Sequence, residues 1–350
     1  MIIRWTYDDN FPPLATDARL LELARELLRC HRRGHHLVVL DRTIAAAIQD
    51  LDLSNQEKAL TNRLSQDYTQ TGNLHKQAYA YVSIVNDISV FAHKQDNCFK
   101  ISIGAAIESR VLDPCAVVVE DVVSDGFMYK QIFEEIARKS PVRKFEYELI
   151  HGGGQNSVNV LRDKFERKRI ALAIIDSDKS SPDCSVEKKT SSLSHLFETA
   201  NWNVGDFFIT PCREVENFVP FDVLRQLPSG TRNTANDVYL RISAAEDDAS
   251  IDLVERIEMY ADLKSGIQLQ CCALNEQAAS WIRSRFELAG LHELTDVPGY
   301  GDRIIEQIKS SGRLISEFRA LIRERRWQQR FFAFFEKIFW YFVSNGALRT

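Results

Sequence analysis

Two short apolar runs end in carboxylates, and that pairing limits the chain to few architectures. Val117-Val118-Val119 runs into Glu120-Asp121, and Ile174-Ile175 runs into Asp176-Ser177-Asp178. Near-continuous Val/Ile/Leu segments of this length read as strands buried on both faces, as in a parallel sheet. Parallel strands share one carboxyl edge, and ligands of open α/β sheets bind beyond it. The two runs therefore predict Glu120, Asp176 and Asp178 at one edge of one sheet. Period two places Asp176 and Asp178 on the same side of an extended segment. Like charges that close repel each other, and a cation removes the penalty. Hard oxygen donors in this arrangement suit Mg²⁺ or Mn²⁺. The plainer alternative for Asp176-Ser177-Asp178 is a turn after a strand, where Asp and Ser are common.

The surrounding pattern supports an α/β class. A strand at Ala116–Glu120, a helix from Asp125 to Ala137, a strand at Phe145–Ile150, a helix from Ser157 to Phe165 and a strand at Ile170–Ile175 alternate. That rhythm implies right-handed crossovers and a central parallel sheet flanked by helices. Asp206–Thr210 reads as a fourth strand, and Lys179 to Thr199, rich in Ser and Lys, as a mobile loop. Before this region, a helix with Thr16 or Asp17 as N-cap, a strand at His36–Asp41 and helices at Ile44–Ile48 and Asn55–Asp67 give a mixed segment. Tyr79 to Phe91 fits helix or strand. After it, Asp252–Asp262 and Asn275–Leu288 have helical periodicity, Val297–Gly301 breaks the chain, and a long helix runs from Leu314 onward. With 350 residues, more than one domain is expected. The divisions are 1–110, mixed α/β; 111–270, the central sheet; and 271–350, mostly helical and suited to interaction.

Composition narrows the setting. The formal charge is −5, from 44 Lys+Arg against 49 Asp+Glu. That balance does not advertise nucleic-acid binding, yet a local basic groove can coexist with an acidic centre. Seven scattered cysteines, none in a Cys-x-x-Cys pair, point to buried thiols in a reducing compartment. No signal peptide or membrane-spanning run is apparent, so a cytoplasmic location is expected.

Other candidates carry two readings each. Glu214 and Glu216 follow the fourth strand and either complete a metal shell or begin a helix. Gly152-Gly153-Gly154 lacks the Walker and GxGxxG spacings and reads as a tight turn, or as a phosphate contact at the next helix. Lys264 is a solvated surface lysine, or a charge that offsets a transferring phosphate. Arg319, Arg323, Arg326 and Arg330 follow helical spacing with Trp327, Phe331 and Phe332 nearby. They form either a nucleic-acid contact or an assembly surface.

Taken in order, Val117–Glu120, the turn at Gly152–Gly154, Ile174–Asp178 and Arg213-Glu214-Val215-Glu216-Asn217-Phe218 resemble a TOPRIM domain. The similarity is to OLD-family nucleases and related TOPRIM proteins of bacterial anti-phage defence, over residues 112 to 270. The resemblance implies a metal-dependent endonuclease that hydrolyses DNA or RNA. It implies Glu120, Asp125, Asp176, Asp178 and Glu216 as ligands of two Mg²⁺ or Mn²⁺ ions, with Lys264 as the catalytic lysine. Asp121 replaces the glycine often found after the first glutamate, and the spacing to Asp125 is one residue long. OLD-like systems couple this site to an ATPase. This chain has no ATP-binding loop, so the resemblance implies a separate ATPase partner, or activity gated another way, and an oligomer or complex. The alternative reading is a non-catalytic Mg²⁺-binding signalling or assembly subunit, such as a receiver-like domain.

Overall fold

The computed structural model describes residues 1–6, 18–86, 92–227, 232–269 and 275–348. The proposed N-cap at Thr16 or Asp17 and the end of the Tyr79–Phe91 run lie outside the described residues. Two sheets organise the chain. The first holds Ile2–Trp5 (β1), Leu37–Leu40 (β2), Tyr81–Val85 (β3), Ala92–Gln95 (β4) and Cys98–Ser102 (β5), in the order β2-β1-β3-β5-β4. β4 is antiparallel to β5, and the other pairings are parallel.

The second sheet is wholly parallel. Cys115–Val119 (β6) is followed by the short Lys144–Phe145 (β7), then Tyr147–His151 (β8), Ala171–Ile175 (β9) and Gly205–Ile209 (β10). The order is β10-β9-β6-β8. Every residue of β6 and β9 is buried, which is why both read as unbroken apolar runs. The mixed α/β class and the parallel sheet are as expected. The segment Lys179–Thr199 differs: it contains a helix, Glu187–Thr199, anchored by buried Leu193 and Leu196. The exposed Ser191 and Ser192 beside it hid that apolar stripe. Asp252–Asp262 also differs, forming two short 3₁₀ turns, Leu253–Glu255 and Ile257–Met259. The second turn and the residues just after it serve the neighbouring loop described below. Val297–Gly301 begins with a strand: Asp296–Pro298 (β12) pairs antiparallel with Gly266–Gln268 (β11).

The last third departs most from expectation. The single helix from Leu314 is two helices, Gly312–Leu321 and Arg325–Phe339, followed by Val343–Ser344 (β13), which pairs antiparallel with β7. The second helix lies against Asp125–Lys139 and buries Trp327, Phe331, Phe335 and Phe339 in the main core. The aromatic run is therefore core of the central sheet, not an exposed face. The first sheet meets the second nearby: Asp206 at the start of β10 accepts from Tyr341 Oη at 3.0 Å and Lys94 Nζ at 3.4 Å.

The arginine stripe needs a matching correction. Split between two helices and the turn joining them, Arg319, Arg323, Arg326 and Arg330 do not form one helical face. Arg319 donates to Gln131 and Glu134, and Arg323 makes two bonds to the buried Glu135 at 2.6 and 2.7 Å. Arg326 reaches Asp247 and Ser243, and Arg330 pairs with Glu258. Each has a polar counterpart inside this chain, so their charge requires no external partner. Arg323→Glu is expected to destabilise the fold by about 1–3 kcal/mol, because it leaves Glu135 buried against a like charge while Arg323 itself is half-exposed. Urea melts check this, and Glu135→Arg in the same chain should restore part of the loss.

Candidate acidic centre at the sheet edge

The strand order fixes where a ligand would bind. From β6 the chain crosses to β8 on one side, and from β9 it crosses to β10 on the other. The connections diverge between β6 and β9, the topological switch point at which open α/β sheets leave a crevice beyond their carboxyl ends. Helices Ser157–Glu166 and Glu187–Thr199 pack together on one side, while Asp125–Lys139 packs with Arg325–Phe339. That division leaves the crevice to the loops. Glu120 follows β6 directly and Asp176 follows β9 directly.

Local hydrogen bonding shapes each loop. After β6, Asp121 accepts from the backbone N–H of Val123 (3.0 Å) and from Ser124 Oγ (2.7 Å), turning the chain into the helix Asp125–Lys139. Asp125 is buried and accepts from Asp121 N–H at 2.8 Å and Ser124 Oγ at 3.0 Å. The charge that replaces the expected glycine is thus a turn-capping group. The glycine turn after β8 is held to the same loop: Gly152 N–H donates to Val119 O at 2.7 Å and Gly153 N–H to Glu120 O at 3.3 Å. A Cβ on Gly152 would meet Val119 O at 2.9 Å, and Gly153 and Gly154 have φ of +64° and +60°. The tight-turn reading fits these facts.

After β9, Ser177 turns inward. Its N–H donates to Thr210 Oγ1 at 2.9 Å and its hydroxyl to Cys212 O at 2.6 Å, tying the loop to the end of β10. Asp178 adopts φ +53° and is exposed. The extended segment expected through Asp176 and Asp178 therefore bends after Ser177, and Asp178 stands at the rim.

After β10, Glu214 and Glu216 open a 3₁₀ turn, Val215–Phe218, and both are buried. Asn217 holds this turn by donating to Glu258 O, in the second 3₁₀ turn, and to Ala261 O just after it. Lys264 enters from the same neighbouring segment: Nζ lies 2.8 Å from Glu214 Oε2 and 3.4 Å from Glu216 Oε2. Asp262 accepts from the N–H groups of Lys264 and Ser265, and Gly301 N–H donates to Lys264 O. Gly299 permits this packing, since a Cβ there would come within 2.0 Å of Lys264 O. Read alone, Gly299 and Gly301 signalled only a break. Asp262 and the 3₁₀ turns gave no distinctive signal.

The electrostatics show which acids converge. Burial, then Glu120, Asp125, Glu216 and Glu214, push Asp176 well above the usual carboxylate range. Burial and Glu214 raise Glu216 to about 7, and burial also raises Glu214 and Asp125. Burial opposes the Lys264 ammonium, but Glu216 and Glu214 more than offset it and its pKa rises. Raised carboxylates bind more protons folded than unfolded, so metal-free stability falls as pH rises from about 4.5 through about 7. Lys264 stays charged throughout that window and does not reverse the sign. Urea melts in EDTA should show the fall, and Glu216→Gln should remove roughly 2–3 kcal/mol of it.

The donor set suits the expected cation. All the converging acids offer hard oxygens, and Glu214 Oε1 and Glu216 Oε2 are buried without a hydrogen-bond partner. The 3.4 Å contact from Lys264 to Glu216 is an ion pair without hydrogen-bond geometry. Among the described residues, no three His, Cys, Asp or Glu side chains form a group ready to hold a metal ion. Lys264 supplies a cation drawn between two of the acids, Glu214 and Glu216.

No helix among the described residues is long and apolar enough to cross a membrane. No protein-family model, curated protein or solved structure matches the chain.

Proposed function

We propose that the chain is a metal-dependent phosphodiesterase that cleaves nucleic acid at a TOPRIM-like centre. One observation carries the reading. Acids from three parallel strand ends, Glu120, Asp176 and the Glu214/Glu216 pair, influence one another at the switch point, with Lys264 set among them. A structural cluster has little reason to gather carboxylates whose charges bear on one another as these bear on Asp176, whereas functional sites do so regularly.

Glu120, Asp176 and Glu216 would hold Mg²⁺ or Mn²⁺, with Asp125 behind them and Asp178 at the rim. A pair of such ions, when bound, would supply charge to stabilise the attacking and leaving oxygens of an in-line displacement by water. Lys264 donates to a non-bridging phosphate oxygen and balances its charge. Asp121 and Ser177 hold the loops that present Glu120 and Asp176. The resemblance adds a setting, anti-phage defence beside a separate ATPase, which co-purification with such a partner would support.

The test is incubation of the purified chain with DNA and with total RNA, with Mg²⁺, Mn²⁺ or EDTA. Metal-dependent cleavage supports the reading. No cleavage under any condition, together with an aspartyl phosphate formed from acetyl phosphate, would favour the receiver-like alternative.

A further inference from the structure

A cleft of about 270 Å³ opens beside the acidic centre. Its floor is apolar, with buried Ile267 and Ile282. One wall is aromatic: Tyr260 and Trp281 meet edge to face, centroids 5.4 Å apart. Ser180, Arg213, Asp262, Ser265 and Gln268 add polar groups to the lining. Arg213 pairs with Asp262 at 3.3 Å and donates to Ser180 Oγ at 2.8 Å. The volume lies just below the ~300–1,000 Å³ of sites for drug-sized ligands, so it fits one ring system.

We propose that this cleft receives one nucleobase of the nucleic-acid substrate, from the nucleotide whose phosphate lies at Lys264. The assignment rests on the phosphodiesterase reading and names how its substrate is held. Two chain segments serve both places. Arg213 immediately precedes Glu214, and Ser265 immediately follows Lys264. Asp262 lines the cleft and also accepts from the Lys264 N–H. A ligand seated in the cleft is therefore led to the acid–lysine centre by a short path. An apolar floor with an aromatic wall suits the face of a base, and stacking tolerates any of the four. The Gln268 carboxamide and the Arg213–Asp262 pair offer donors and acceptors to a base edge. A base can reach such a pocket only when unstacked, so single strands or flipped nucleotides are favoured over intact duplex.

The test measures binding in EDTA, where cleavage plays no part. Labelled single-stranded oligonucleotides are compared with the same strands carrying one abasic site scanned along them. Nucleoside 5′-monophosphates are titrated against tryptophan fluorescence. Trp281→Leu should weaken binding of intact strands roughly 5- to 150-fold. It should add little to the loss caused by the critical abasic site, and it should abolish quenching by the monophosphates. Gln268→Ala, at an exposed position, should alter preference among the bases and carries the test if Trp281→Leu fails to fold. Quenching and an abasic effect without cleavage under any metal would support the cleft and sink the phosphodiesterase reading. Metal-dependent cleavage with no quenching and no abasic penalty would overturn the cleft. Binding of free monophosphates with no abasic penalty in strands would also overturn it, since the site would then take a free nucleotide.

Discussion

Asp176→Asn should lower metal-dependent cleavage by about 10²–10³-fold or more and raise the stability of the metal-free protein at pH 8. Both effects arise from the one carboxylate. Asp176 follows β9 at the switch point, and burial with four neighbouring acids pushes its pKa well up. Above the unfolded value its ionisation costs the folded state more than the unfolded state, so stability falls as pH climbs toward the folded pKa. Asparagine keeps the shape and removes that cost. It also removes a ligand, so added Mg²⁺ should raise the melting temperature of the parent more than that of the variant. Glu120→Gln should show the same loss of cleavage. Parental cleavage in either variant, with a matching melt, would remove that residue from the centre.

Phe335→Ala should cost about 3–5 kcal/mol of stability. Phe335 is fully buried, and its ring meets Phe218 at 4.8 Å, Phe133 at 5.8 Å and Trp327 at 5.9 Å. Those partners come from the turn behind Glu216, the helix behind Asp125 and the last helix itself. The cavity would therefore lie beneath the acidic centre, and cleavage should fall with the loss of folded protein. Chemical denaturation gives the energy. A cost below about 1 kcal/mol would show that this helix is not integral to the core.

Strands were legible where burial on both faces wrote an unbroken apolar run, as at Val117–Val119 and Ile174–Ile175. So was the meeting of Glu120 and Asp176, because parallel strands must share an edge. The path of Asp178 was not legible: a left-handed residue after Ser177 depends on the hydroxyl reaching Cys212 O, a contact set by β10. The arginine stripe misled for a similar reason. Helical spacing shows that charges can align, but Glu134 and Glu135 lie far away in sequence. The helix Glu187–Thr199 was masked by its polar outer face. For Lys264 the residues left two readings open, since its placement depends on Gly299 and Asp262.

The pairing of β7 with β13 has a consequence in time. Lys144–Phe145 finds its partner only at Val343–Ser344, and Phe133 finds Phe335 and Phe342 across a similar span. These are contacts of high sequence separation, and loop closure of that length precedes any gain from them. During synthesis, the segment carrying Glu120, Asp176 and Glu216 would emerge with one aromatic face still bare. Until the last helix docks, that face is a surface for chaperones or for self-association. The chain should therefore acquire a rigid acidic centre late, after its last helix has been made.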